Sequence, residues 1–302
     1  MAEGFRQEYA TEAWAQHWIG QMYLALGRVQ DARKTFQAMA EIQGETEIEG
    51  HLCLADLDLA TGAYHDAQPE LKAAVLAADK YQSSYLGARA RLALAQAMLL
   101  AGAPVGRARQ VLTEVNLPTR SPDLVLLSGM AYARAGDLEA AHKEARVIEA
   151  ILKDREVPAM RAAQYLLTAE IALAQDRFAE SVDAAQKAAA YQNSSFAVEM
   201  LARCYAAAGD YQQAAQQYEV VLARANERSS RAFDNPAFHH VVQAHYQLGV
   251  LYQKLGQLND SRSHLKKFLD YWSHPDADLD MYRDAQRRLR SLPPTGAPTA
   301  AM

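Results

Sequence analysis

The histidines near the C-terminus are the residues best suited to chemistry, because imidazole binds metals and transfers protons near neutral pH. His239, His240 and His245 lie close together, and His264 follows. Their separations of one, five and six residues do not place two imidazoles on one helical face as a separation of four does, and the sequence holds no HExxH motif. We predict a structural or solvated role for these histidines and no metal site.

Two other motifs begin like ligand-binding loops. Residues 276–280 (DADLD) start as a calcium loop does, but Met281 stands where glycine is needed and Arg287 where a bidentate glutamate is needed. Residues 102–107 contain two glycines but lack the GK[ST] ending of a phosphate-binding loop, and they follow a predicted helix. We interpret the first motif as helix capping and the second as a lengthened turn.

Residues for covalent catalysis are also missing from the sequence. Cys53 and Cys204 each lie in an apolar stretch, which favours buried free thiols over nucleophiles or a disulfide. No GxSxG motif is present. Trp18 and Trp272 are predicted to be packing residues. We therefore predict a protein without catalytic residues and without a cofactor.

Charge and hydropathy restrict the classes of partner. The net charge is -5 and the isoelectric point is near 6.0, so no general positive field attracts nucleic acid or anionic lipid. No uncharged apolar stretch reaches the ~18 residues of a membrane span. The N-terminus lacks the basic and apolar regions of a secretory signal, so we expect a cytoplasmic protein.

The elements that carry these residues are predicted to be helices in a repeated pair. Alanine, leucine, glutamine, arginine and glutamate dominate the composition, which favours an all-α fold. A short sequence motif recurs in which apolar residues precede a glycine-like turn residue, and a small residue follows five positions after that turn residue. The turns lie at positions 27, 62, 102, 136, 176, 209 and 256, and their spacings are 35, 40, 34, 40, 33 and 47 residues.

The residues around each turn resemble the tetratricopeptide-repeat family, whose unit is about 34 residues long. In its first helix a large and a small residue are followed by an aromatic residue, as in Ile19-Gly20-Tyr23 and Leu248-Gly249-Tyr252. In its second helix a small residue precedes a bulky one, as in Ala32 and Phe36. The resemblance implies an α-solenoid, a right-handed superhelix of about seven helix-turn-helix repeats.

The resemblance also sets the predicted boundaries. Residues 13–278 form the solenoid, and an amphipathic helix over 279–292 caps its last repeat. Residues 293–302 lack periodicity and are predicted to be disordered. Residues 1–12 form a lead-in helix, which we interpret as the remnant of a preceding repeat.

A second resemblance concerns the C-terminal part. Residues 235–257 and 266–292 are similar to the end of bacterial regulators that join a serine/threonine kinase or a DNA-binding domain to a tetratricopeptide array. The sequence has no glycine-rich loop, VAIK, HRD or DFG motif. This resemblance implies the sensor or regulatory half of such a protein and not its catalytic half.

In the tetratricopeptide family the first helices of successive repeats line a concave groove, and the resemblance therefore implies a set of groove residues. Arg203, Tyr246 and Lys254 would bind an extended peptide or an acidic tail. The complete predicted set is Gln21, Leu24, Asp56, Gln96, Met130, Arg134, Glu170, Arg203, Tyr246, Val250, Gln253 and Lys254.

Three functions follow as hypotheses. The first is a non-catalytic scaffold or adaptor that binds a peptide or protein partner in the groove. The second is the sensor half of a bacterial kinase or transcriptional regulator. The third is self-association into a homo-oligomer through an N-terminal face carrying Phe5, Tyr9 and Trp14.

Overall fold

The computed structural model of this chain describes residues 13–115, 121–154, 157–226, 238–273, 275–276 and 279–293. The predicted lead-in over 1–12 and the predicted tail after 293 lie outside these residues. Within them the chain forms helices and no strand. The helices are α1 Ala13–Ala25, α2 Val29–Ala40, α3 Glu45–Thr61, α4 Tyr64–Lys80, α5 Ser84–Leu100, α6 Val105–Thr113, α7 Pro122–Arg134, α8 Leu138–Asp154, α9 Pro158–Ala174, α10 Phe178–Tyr191, α11 Ser195–Ala207, α12 Tyr211–Asn226, α13 Phe238–Lys254, α14 Leu258–Tyr271 and α15 Asp280–Ser291.

The first fourteen helices form seven consecutive pairs, which confirms the all-α solenoid. In each pair the first helix, here called the A helix, packs against the second, the B helix, and each pair packs against the next. The A helices are α1, α3, α5, α7, α9, α11 and α13. α15 follows the last pair and packs against α14, in the place predicted for a capping helix.

The seven predicted turns lie at the junctions of the A and B helices. All seven residues adopt the left-handed conformation, with φ from 56° at Asp176 to 82° at Gly209. In the first turn the amide of Arg28 donates to the carbonyl of Tyr23 at 2.8 Å, which satisfies a carbonyl that the helix end leaves free. Two further residues with positive φ lie between repeats and were not predicted by the repeated motif; they are Gly44 and Gln82.

The predicted pairing of small and bulky residues is also present. A Cβ added to Gly20 would lie 2.1 Å from Cε1 of Phe36, and one added to Gly249 would lie 2.6 Å from Cγ of Leu265. Phe36 and Leu265 are both buried. The helices of a repeat can approach this closely only because glycine occupies the crossing.

Asp58 takes the place of the aromatic residue in the second repeat. Its side chain is buried, and Nη2 of Arg33 donates to its Oδ1 at 2.6 Å. Burial raises the pKa of Asp58 even though Arg33 opposes the shift. The charged pair therefore fills a position that other repeats fill with an aromatic ring.

Several predicted packing residues are placed as expected, with one exception. Cys53 and Cys204 are buried free thiols, and Trp272 is almost completely buried. His245 is buried and its Nδ1 lies 3.0 Å from Nδ1 of His264. Trp18 is the exception, since its side chain is exposed on α1.

The last repeat packs against the second one, so the described part of the solenoid closes on itself. α13 contacts α3 directly. Phe238, Val242 and Trp272 belong to the same apolar core as the residues of the first repeats. Repeats in a solenoid ordinarily contact only their neighbours, so the sequence pattern did not predict this closure.

Candidate interaction surface

Six A helices are joined into a closed circuit by polar side chains, which we call the polar ring. Each neighbouring pair of these helices has at least one hydrogen bond or ion pair between its side chains. In chain order the links are Glu49 with Arg89 (α3 and α5), Tyr85 with Asp123 (α5 and α7), Arg134 with Glu170 (α7 and α9), Glu170 with Arg203 (α9 and α11), Glu199 with His240 (α11 and α13), and His239 with Asp56 (α13 and α3).

Glu170 is the most buried member of the polar ring, with 3% of its surface exposed. Arg134 donates to its two carboxylate oxygens at 3.1 Å each. Arg203 donates to the same two oxygens at 2.8 and 2.9 Å. Burial by itself would raise the pKa of Glu170, but the charges of Arg203 and Arg134 outweigh it and lower the pKa to about 2. One carboxylate therefore holds three A helices together.

The histidine links close the ring. The imidazole rings of His239 and His240 lie 3.9 Å apart, and each Nδ1 contacts a carboxylate on a different helix. Burial opposes ionisation of Glu199, but the charge of His240 outweighs it and lowers the pKa of Glu199 to about 2. Through Asp56 and Glu199, α13 is attached to α3 on one side and to α11 on the other.

Three of the predicted groove residues are wrong as surface contacts. Leu24 and Met130 lie in the apolar core, where their side chains pack between helices. Glu170 is buried by its two arginine partners.

Three other predicted residues belong to the polar ring. Asp56, Arg134 and Arg203 are partly accessible, with 26%, 30% and 32% of their side chains exposed. Each is paired with another A helix. They lie on the expected helices, but their charges are already neutralised within the chain.

The predicted residues on α13 are divided between two environments. Tyr246 donates from its hydroxyl to Oδ2 of Asp284, and Gln253 accepts from Nη1 of Arg288, so both side chains contact the capping helix. The ammonium group of Lys254 lies 4.0 Å from the ring centre of Tyr211. Tyr246 and Gln253 are therefore covered by α15, whereas Lys254 remains exposed.

The remaining three, Gln21, Gln96 and Val250, are half-buried on α1, α5 and α13. The sequence analysis did not identify Glu199, and it predicted no partners for His239 and His240. The spacing of Glu199 and Arg203 by four residues on one helix was a usable signal for the first of these. The histidine contacts had no such signal, because Asp56 lies 183 residues away from His239.

Within the described ranges no group of three or more His, Cys, Asp or Glu side chains is arranged to hold a metal ion. Among the helices seen there, none combines the length and the apolar character that crossing a bilayer requires.

Comparisons with known proteins agree with the repeat pattern. Sequence models of the tetratricopeptide repeat match residues 14–42, 197–225 and 242–271, which correspond to repeats one, six and seven. Comparison with curated protein sequences gave no significant match.

Several solved structures are similar to this chain at low identity. One is a tetratricopeptide repeat protein from Parabacteroides merdae, with 12% identity, a TM-score of 0.48, and coverage of 96% of this chain and 97% of that one. Another is a signal transduction ATPase with numerous domains, described as having a tetratricopeptide repeat sensor, from Pyrococcus horikoshii. It shows 14% identity and a TM-score of 0.41, and the match covers 94% of this chain and 44% of that one.

Three segments of the chain thus match the repeat directly, and the same helix pair with its left-handed turn recurs seven times in the structure. The chain therefore contains tetratricopeptide repeats.

Proposed function

We propose that this chain is a non-catalytic interaction scaffold that binds a peptide or protein segment along its A helices. The observation that carries the proposal is the polar ring. Buried ion pairs stabilise a fold no better than apolar packing of the same volume. Polar links between every neighbouring pair of six A helices are therefore better explained by a surface for polar ligands than by stability alone.

The chemistry of the ring favours an extended segment with acidic groups. Arg89, Arg134 and Arg203 lie on three different A helices, and each has about a third of its side chain exposed. Guanidinium groups bind carboxylates through paired hydrogen bonds, so a ligand carboxylate can exchange with an internal one. The proposed contact set is Gln21, Gln96, Arg134, Arg203, Val250 and Lys254.

A selection of random peptides on the full chain tests this proposal. Peptides about sixteen residues long are selected by display, and their affinity is then measured on Arg134→Gln. This variant leaves Glu170 paired with Arg203, so we expect it to fold normally. The matched control is Arg177→Gln, which removes an exposed arginine directly before α10 that pairs with Glu180.

The scaffold proposal predicts acidic peptides whose affinity falls about tenfold or more on Arg134→Gln, since charge-assisted hydrogen bonds contribute about 1.5–3 kcal/mol. Binding to Arg177→Gln should be unchanged. Failure to select any peptide, or an equal loss of affinity on both variants, would reject the polar ring as a binding surface. Circular dichroism of both variants checks that their helices are intact.

A second candidate function is the sensor half of a bacterial kinase or transcriptional regulator. The contact between repeats two and seven favours it, because a sensor needs a contact that can change. An output domain encoded upstream in the same reading frame would support this function. N-terminal sequencing of the native protein that finds Met1 as the first residue would count against it.

Two further proposals concern the setting of the protein. We assign it to the cytoplasm, because buried free thiols suit a reducing compartment. Self-association through the N-terminal face stays a prediction, because Phe5 and Tyr9 lie outside the described residues and nothing is described of the Trp14 side chain. Sedimentation at high concentration tests it, and a strictly monomeric species would reject it.

A further inference from the structure

Besides the apolar core that they share, repeat seven contacts repeat two through three specific anchors, which together we call the seam. The largest anchor is Trp272, at the end of α14. Its Nε1 donates to the carbonyl of Ala60 at 3.0 Å, 212 residues away in the sequence, and its ring meets that of Tyr64 edge-on at 5.7 Å. The indole is buried with its polar atom satisfied, as a specific contact requires.

Gly62 receives this anchor. It has the left-handed φ of +80° that the turn requires, and a Cβ at this position would lie 2.7 Å from Cδ2 of Trp272 and 2.8 Å from Cβ of Pro275. The turn glycines Gly209 and Gly256 have open space in the same direction. The turn of repeat two is therefore fitted to repeat seven in a way that other turns are not.

Asp276 is the second anchor, and it caps a helix of another repeat. Its Oδ2 accepts the amide of His65 at 2.8 Å, and its own amide donates to the carbonyl of Gly62 at 2.9 Å. The residue that precedes α4, Ala63, has no side chain able to cap it. By contrast, Asp137 caps α8 from within its own repeat. The sequence pattern predicted that Asp276 caps the final helix, α15. The structure corrects this interpretation, because Asp276 caps α4 across the seam.

The third anchor is the ion pair of His239 with Asp56. Glu199 on α11 and Arg134 on α7 also act on this histidine, and the ring of His240 on α13 lies 3.9 Å from its ring. Burial disfavours its charged form, but Asp56 outweighs burial and raises the pKa of His239. Nε2 of His239 is buried, and it has no hydrogen-bond partner among the described residues. An incompletely satisfied pair holds two helices together less strongly than a complete one.

We propose that the seam is an intramolecular latch, in which repeat seven docks on repeat two and keeps the polar ring closed to its ligand until it is released. This inference rests on the proposed scaffold function and adds a mode of regulation to it. Repeats in a solenoid are stabilised mainly by their neighbours, so release of the seam leaves each repeat folded. The geometry of a closed circuit restricts how a ligand enters. Six helices about 10 Å apart surround an axial space about 10 Å wide once each occupies a radius of about 5 Å, so a ligand must thread in from one end unless the seam opens a path from the side.

The closed state also lowers the apparent affinity for a ligand. If only a fraction of molecules is open, the observed association constant is the intrinsic one multiplied by that fraction. Removing one capping interaction shifts the equilibrium about fivefold towards the open state. A seam variant should therefore bind the same peptide about fivefold more tightly than the unmodified chain.

Distance measurement by electron spin resonance tests the latch without any ligand. Labels are placed at Lys72→Cys on α4 and Lys266→Cys on α14, both of which are exposed. The seam variant is Asp276→Ala, and the matched control is Asp137→Ala, which removes a cap of the same kind inside one repeat. Trp272→Ala serves as a stronger second variant.

The latch predicts a longer and broader distance distribution in both seam variants, with unchanged helix content, and an unchanged distribution in Asp137→Ala. The proposal is overturned if the distances stay the same in both seam variants, or if they lengthen only together with loss of helix. Peptides from the selection described above then give the second readout. Equal affinity for open and closed variants would overturn the regulatory role. Absence of any peptide would reject the scaffold and leave the latch to be judged on the distances.

Discussion

Replacement of Glu170 by glutamine is the most informative single change in the polar ring. The side chain keeps its size and part of its hydrogen bonding, but the carboxylate charge between Arg134 and Arg203 is lost. The guanidinium groups of Arg134 and Arg203 then lose the carboxylate that they share, and among the described residues only Arg203 keeps a nearby carboxylate, that of Glu199. We expect Glu170→Gln to be destabilised at neutral pH because breaking a buried charge network leaves uncompensated charge.

The magnitude follows from the pKa of Glu170. The usual value is 4.5 and the folded value is about 2, so the charged form is stabilised by about 3 kcal/mol at 1.36 kcal/mol per unit. Both arginines are about one-third exposed and can be partly hydrated after the change. We therefore expect a loss of about 2–3 kcal/mol in the free energy of unfolding at pH 7.

Urea unfolding at several pH values distinguishes this explanation from a general packing defect. A carboxylate with a lowered folded pKa contributes its full stability above pH 4.5 and loses it as the pH falls towards 2. The difference between the unmodified chain and Glu170→Gln should be constant above pH 5 and fall to less than half at about pH 3. A difference that does not change with pH would refute the electrostatic account. The control is Glu180→Gln, whose pair with Arg177 is exposed and should contribute less than about 1 kcal/mol.

Three further changes test the packing and the turns by thermal or urea unfolding. Gly20→Ala should cost about 1–3 kcal/mol, because the new methyl group overlaps Phe36, whereas Gly106→Ala meets nothing within 4 Å and should cost nothing. Asp176→Gly should raise the free energy of unfolding by about 1 kcal/mol, because a φ of 56° strains any residue with a Cβ. A loss of stability in this variant would show that the carboxylate of Asp176 is needed. Burial lowers the pKa of His245 to about 4. The free energy of unfolding should therefore fall by up to about 3 kcal/mol as the pH drops from 6.5 towards 4. An equal fall in His245→Gln would contradict this assignment.

The repeats were predictable because each turn is specified locally. A left-handed residue must follow the A helix, and glycine is the residue that adopts this conformation without strain. Spacing alone identified Asp176 as the turn residue of the fifth repeat, and its φ of 56° confirms the prediction. The crossing glycines were predictable for a similar reason, since a residue three or four positions away on the same helix fixes which face is buried.

The interaction surface was less predictable, because it depends on which side chains pair across helices. The family register gives the helix and the approximate face, and Asp56, Arg134 and Arg203 lie on the predicted A helices, where they pair with other A helices. Their role in binding a ligand stays a prediction. It fails at Leu24 and Met130, because these side chains pack in the apolar core between helices. The seam could not be predicted from the repeat pattern, because Trp272 and Ala60 are 212 residues apart and no local rule relates them.

Closure gives the polar ring a property that an open solenoid lacks. In an open array each junction affects only its neighbours, and a change in one repeat leaves the far end unaltered. In a closed circuit the angles of all six junctions must sum to a complete turn, so a change at one junction is transmitted to the seam. Glu170 takes part in two of these junctions, and a ligand carboxylate that replaces it on Arg203 would alter the angle between α9 and α11. Binding at the ring and opening at the seam are therefore coupled by geometry, and the pair of His239 with Asp56 belongs to both places.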